Sequence, residues 1–150
     1  RLHRRPFLSR LRSCHSHPPA ETEQAGEWLS KRLSPGDLVA FSGGMGMGKT
    51  VFVRGLARGL GIDADVSSPT FTLINEYRGE TSRLCHMDAY RLTSAEDLEA
   101  TGFYDYLDNG WIAAVEWSET VGLLDGAPVR VRFERLGDNE RRITIEGAGI

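Results

Sequence analysis

What this sequence has least of is cysteine: Cys14 and Cys85 are far apart in the chain and match no zinc-binding spacing. That excludes a disulfide framework and points to a reducing compartment, with the cytoplasm as the expected location. Long apolar runs are missing too. No stretch approaches the ~20 residues that a membrane-spanning helix needs, and the first residues lack the apolar core of a secretory signal, so no membrane role is expected. Nor is there an excess of positive charge, because 18 Lys and Arg stand against 21 Asp and Glu for a formal net charge of -3. Such a chain does not hold nucleic acid by its overall field, and contact with RNA is expected to be indirect or local. Elements of the N-K-x-D or T-K-x-D type that read guanine are absent, which argues against a regulatory GTPase.

The 150 residues, 40% hydrophobic and 26% charged, suit one soluble domain that buries its core without staples. The first twenty stand apart. They carry Arg1, Arg4, Arg5, Arg10 and Arg12, have no acid before Glu21, and close on Pro18-Pro19. Residues 1–20 are therefore read as a basic, flexible tail and residues 21–150 as the folded domain, although the same composition suits a transit peptide or an RNA-touching arm. Cys14, His15 and His17 cluster in this tail and carry no metal-site reading.

From Thr22 the spacing of Ala25, Trp28, Leu29 and Leu33 predicts a helix, broken by Ser34-Pro35-Gly36-Asp37. "LVAFS" (38–42) is a continuous apolar run, as expected of a buried parallel strand. A glycine-rich loop follows. Phe52, Val53, Leu56, Ala57 and Leu60 then form one helical face, with Gly61 where a C-terminal cap belongs. "TFTLINEY" (70–77) and "RLCHMD" (83–88) read as a hairpin, and Thr93 with Glu96 as a capping box for a helix ending near Gly102. "WIAAVE" (111–116) is a second apolar strand, ending in a carboxylate, while "VRVRFER" (129–135) and "RITIE" (142–146) read as an antiparallel hairpin with one wet face. The expected fold is α/β, a P-loop NTPase-type single domain with a mostly parallel sheet, flanking helices and an antiparallel C-terminal hairpin.

Gly43-Gly44-Met45-Gly46-Met47-Gly48-Lys49-Thr50 fits G-x-x-x-x-G-K-[ST] at every fixed position and lies between a predicted strand and a predicted helix. The glycines let backbone N–H groups turn inward around phosphate oxygens through conformations that a Cβ blocks. Lys49 then reaches the β- and γ-phosphates, Thr50 offers its hydroxyl to Mg2+, and the helix adds its positive end. Phosphate loops also need an acid on the metal side, and two compete for that post, Asp88 and Glu116. Glu116 follows the more apolar strand, which favours it for the metal; Asp88 then orients the attacking water or senses the γ-phosphate. "SSPTF" (67–71) sits where such proteins place a segment that responds to the γ-phosphate, with Thr70 as its oxygen donor. His86, on the same strand face as Asp88, reads as a partly buried structural histidine, Trp111 as core, and Trp117 as core or site lining.

In this order and spacing, "GGMGMGKT", "SSPTFTLINEY", "HMDAYRL" and "VEWSE" resemble the TsaE (YjeE) family over roughly residues 20 to 147. The resemblance implies a small ATPase, using ATP and Mg2+, that acts with TsaB and TsaD in making N6-threonylcarbamoyladenosine at A37 of tRNAs that read ANN codons. Contact with tRNA would then run through the complex. Carried over to this sequence, it implies nucleotide contacts at Thr22, Gly43, Gly46, Met47, Gly48, Lys49, Thr50, Val51 and Arg141. Thr50 and Glu116 would hold Mg2+; Asp88, Lys49 and Thr70 would be the hydrolysis-linked and switch positions. Family loops usually read G-D-L-G-A-G-K-T, so Gly44 and Met47 depart from the pattern, as does Ser118 where the family often has proline.

Two other readings use the same loop. A small-molecule kinase needs a cationic lid, and residues 89–110 carry Glu96, Asp97, Glu99, Asp105 and Asp108 instead. A nucleotide-gated binding module with negligible turnover would use "SSPTF" as its reporter.

Overall fold

The computed structural model describes residues 9–16, 19–43, 48–67, 74–122, 127–137 and 140–148. Seven strands form one sheet in the order β1-β7-β6-β2-β5-β4-β3. In chain order the elements are β1 (Ser9–Ser16), α1 (Pro19–Ser30), β2 (Leu38–Ser42), α2 (Lys49–Gly59), β3 (Ile74–Arg78), β4 (Arg83–Asp88), α3 (Ala95–Ala100), α4 (Phe103–Asp108), β5 (Ile112–Glu116), β6 (Val129–Arg135) and β7 (Arg141–Ala148), with a 3-10 turn over Ser118–Val121. The four central strands β6, β2, β5 and β4 run parallel, and β3, β7 and β1 add antiparallel edges. The two uniformly apolar segments, β2 and β5, are buried along their whole length and lie side by side at the centre, as strands covered on both faces must.

One sheet face packs on α1 and α2. Leu29, Phe52, Val53 and Leu56 meet Val39, Phe41, Ala114, Val131 and Phe133 there. Phe41, Phe52 and Phe133 touch edge to face, with ring centroids 5.5 to 5.9 Å apart. The other face, with Leu38, Ala40, Met87 and Val115, is covered by Leu98, Phe103, Leu107 and Trp111 from α3, α4 and the residue before β5. Helices α1 and α2 approach so closely that glycine is needed where they cross. A Cβ on Gly26 would sit on the Phe52 carbonyl and 2.9 Å from the Leu56 nitrogen, and one on Gly55 would strike the Glu23 carbonyl. That contact brings the N-terminal half of α1 up to the first turn of α2.

Two local expectations shift. Residues 9–16, assigned above to a tail, form β1 and pair with β7 through a full antiparallel ladder. Backbone hydrogen bonding along an exposed edge does not depend on side-chain composition, so an Arg-rich segment can cover it. The cap of α3 is Ser94, whose hydroxyl accepts from the Asp97 N–H at 3.1 Å, while Thr93 donates through its N–H and its hydroxyl to Asp97 Oδ2 at 3.0 and 2.8 Å. The cap and its acid, Ser94 and Asp97, thus lie one position later than the Thr93–Glu96 spacing implies. Gly102, at φ 82°, ends this helical segment, and α4 begins beyond it. Among the described residues no helix is long and apolar enough to cross a membrane.

Candidate functional site

The site lies at the C-terminal ends of β2, β5 and β4, beside the N-terminus of α2. Gly48 caps that helix in the left-handed region (φ 90°, ψ 16°) with no side-chain cap, which leaves the first N–H groups of Lys49, Thr50 and Val51 without an acceptor from a capping side chain. A Cβ on Gly48 would meet Arg141 Nη1 at 2.8 Å and the Thr22 methyl at 3.6 Å. Thr22 from α1 and Arg141 from β7 are thus drawn to the loop by tertiary packing, although far from it in sequence. Gly43, at φ 117°, leaves β2 where a Cβ would strike the Phe133 carbonyl. Gly46, Met47 and Thr70 lie outside the described residues.

Lys49 is buried, and its ammonium donates to the Gly43 carbonyl at 2.7 Å. It also lies 5.0 Å from the Trp117 ring centroid. Burial pulls its pKa below the ordinary lysine range, against the opposing pull of Glu116, Glu119 and Asp88. Thr50 and Val51 are half-buried on the same helical turn.

The two carboxylates end adjacent parallel strands in direct register, Asp88 on β4 beside Glu116 on β5. Because β5 lies between β4 and β2, Glu116 is one strand from the loop and Asp88 is two. Glu116 is buried, with its Oε2 2.5 Å from His86 Nε2. It is not the exposed ion-pair partner that strand-end acids often are. Asp88 is half-buried, and its Oδ1 accepts from the Tyr90 N–H at 2.9 Å. Burial raises its pKa and the Glu116 charge adds to that rise, while the Tyr90 N–H, His86 and Lys49 lower it.

The chain after Glu116 turns sharply. Trp117 is the one non-glycine among the described residues with positive φ, at 59°. Its ring meets that of exposed Tyr90, with centroids 5.1 Å apart, and the next residue, Ser118, donates its hydroxyl to the Phe41 carbonyl at 2.8 Å, tying this turn to the end of β2. Sequence reasoning left Tyr90, Glu119 and the pairing of His86 with Glu116 unassigned. The two-residue step from His86 to Asp88 was the available signal, since it puts both on one strand face.

This donor set suits a nucleotide phosphate: a helix N-terminus and an arginine meet at Gly48, whose positive φ disfavours any side chain, and the Lys49 ammonium lies at the Gly43 carbonyl where the same loop begins. Among the described residues no group of three or more His, Cys, Asp or Glu side chains is arranged to hold a metal ion alone.

The model of the family "Threonylcarbamoyl adenosine biosynthesis protein TsaE" matches residues 16–143. The tRNA threonylcarbamoyladenosine biosynthesis protein TsaE of Bacillus subtilis (strain 168) is 36% identical over 132 residues, covering 87% of this chain and 82% of the relative. Its counterpart in Treponema pallidum (strain Nichols) is 38% identical over 133 residues, covering 88% and 98%. Among solved structures, the crystal structure of Bacillus subtilis YdiB superposes with a TM-score of 0.75 at 30% identity, covering 95% of this chain and 88% of that one. The chain belongs to the TsaE family of threonylcarbamoyl adenosine biosynthesis proteins.

Proposed function

We propose that this protein is a Mg2+-dependent ATPase that works in the cytoplasm with TsaB and TsaD, and that its ATP cycle sustains repeated threonylcarbamoyl transfer to A37 of tRNAs reading ANN codons. The observation that carries this reading is the convergence at one end of the parallel strands: Lys49 and Thr50 open α2, Glu116 ends β5 next to β2, and Asp88 ends β4 one strand further out. In this reading Lys49 and the N–H groups of the first turn of α2 hold the β- and γ-phosphates. Gly46 and Met47 belong to the same phosphate loop, and Thr70 to the segment that senses the γ-phosphate. Thr50 and Glu116 hold the metal, since β5 is the strand next to the loop. When bound, Mg2+ neutralises charge that develops on the phosphate oxygens. Asp88, one strand further out, orients the attacking water, and its raised pKa suits a group that exchanges protons with that water. Arg141 and Thr22 contact the nucleotide at Gly48. Contact with tRNA runs through the partners, in keeping with a formal net charge of -3.

Two assays test this. Phosphate release is measured with the chain alone and with TsaB and TsaD, and modified nucleoside is counted per complex with and without the chain. The partners are expected to raise turnover at least tenfold, because they would complete the positioning of the attacking water beside Asp88. Omitting the chain is expected to limit modification to about one round. Unchanged phosphate release together with many rounds in its absence would defeat the reading.

A further inference from the structure

His86 is a fully buried histidine whose placement a structural role leaves unexplained. Its Nε2 lies 2.5 Å from Glu116 Oε2, and its Nδ1 has no hydrogen-bond partner among the described residues. Burying an unpaired ring nitrogen costs stability, and an apolar side chain would fill the same volume without that cost. His86 sits in register with Ala114 on β5, two residues before Glu116, so only a methyl group stands beside the ring on that strand. The imidazole can thus reach along the sheet to Glu116.

A carboxylate only accepts hydrogen bonds, so Nε2 carries the proton. The bond engages one oxygen of Glu116 and leaves the other without a partner from His86. We propose that His86 is a positioning residue: by donating from Nε2 to Glu116 Oε2 it sets the carboxylate so that the remaining oxygen is presented to the metal side of the phosphate loop. This rests on the assignment of Glu116 to Mg2+ in the proposed function. Partners of this kind commonly change metal affinity by about 10- to 100-fold when removed.

The test is equilibrium binding of a non-hydrolysable ATP analogue to the full chain over a range of Mg2+ concentrations, for wild type, His86→Leu, His86→Gln and Glu116→Gln. Leucine fills the site but cannot donate; the glutamine amide can donate from near the position of Nε2. His86→Leu is expected to raise the Mg2+ concentration at half-effect about tenfold or more, with affinity in the absence of Mg2+ within about twofold of wild type. His86→Gln is expected to recover most of that loss. Equal weakening with and without Mg2+, or a glutamine variant no better than leucine, overturns the proposal. If Glu116→Gln also leaves the Mg2+ dependence unmoved, the metal assignment fails and takes this proposal with it. If Glu116→Gln moves it and His86→Leu does not, only the positioning role fails. Nitrogen NMR of the imidazole in wild type answers the question even if the leucine variant does not fold. The Nε2–H form is expected, with its resonances moving when Mg2+ joins the analogue complex. A proton on Nδ1 alone, or resonances that Mg2+ leaves unmoved, overturns the proposal.

Discussion

Asp88 and Glu116 show how two chemically similar residues are made different by position. Both are strand-end acids in register, yet Glu116 is buried against His86 while Asp88 is half-exposed and held by the Tyr90 N–H. Burial first, then the Glu116 charge, raises the Asp88 pKa above its ordinary value of 3.8, although the Tyr90 N–H opposes it. A carboxyl whose pKa is raised in the folded state contributes stability below its unfolded pKa, and that contribution is lost as pH rises through the folded value. At neutral pH the ionised Asp88 therefore works against the fold. Asp88→Asn, whose amide oxygen can still accept from Tyr90, is expected to unfold at a higher temperature than wild type near pH 7. The gain should fade as pH falls toward the ordinary value. Phosphate release should drop at least tenfold while nucleotide affinity is kept. A variant that is less stable at neutral pH and equally active would contradict both the pKa direction and the water-orienting role.

At the scale of elements, the pair α1 and α2 sets the geometry of the loop. Their crossing depends on Gly26 and Gly55, and Arg58 near the end of α2 pairs with Glu23 and Glu27 of α1. Two effects of opposite sign compete at Gly55. Alanine in a helix interior is favoured over glycine by about 1 kcal/mol, but here its Cβ would strike the Glu23 carbonyl and lie 3.1 Å from the Glu23 Cα, which is backbone and cannot step aside. Overpacking of that kind costs about 1–3 kcal/mol, so Gly55→Ala is expected to lower stability by about 1 kcal/mol net, read as a lower urea midpoint with unchanged slope. A rise in midpoint would mean that α1 and α2 are free to separate. The same contact carries Thr22 to Gly48, so a small loss of nucleotide affinity should accompany the loss of stability.

Across the whole molecule, the sheet has two unlike halves. The half with β2, β5 and β4 is covered by helices on both faces and ends in the candidate site. The other side extends through β6 and β7 to β1, whose ladder with β7 runs from Ser9–Ala148 to Ser16–Arg141. Without β1, β7 would present a row of unpaired backbone donors and acceptors to other molecules. A chain lacking residues 1–17 is expected to unfold at a lower temperature and to self-associate, as seen by light scattering on a sizing column. If its apparent mass and unfolding temperature match those of the full chain, β1 contributes nothing to the sheet.

Most of the local elements were legible in the residue order, because periodicity, turn residues and apolar runs are properties of neighbours. β2, β4 and β6 have the bounds that their side-chain patterns imply, and the glycine loop stands between strand and helix as its motif requires. Which strands lie side by side, and with that the different surroundings of Glu116 and Asp88, was not legible in the residue order. Strand order depends on contacts between distant segments, which no local window contains. The meeting of Thr22 and Arg141 at Gly48, the reach of His86 to Glu116 and the closure of the β7 edge by β1 follow from it. Composition pointed away from β1 because its ladder is made by main-chain groups that every residue but proline carries.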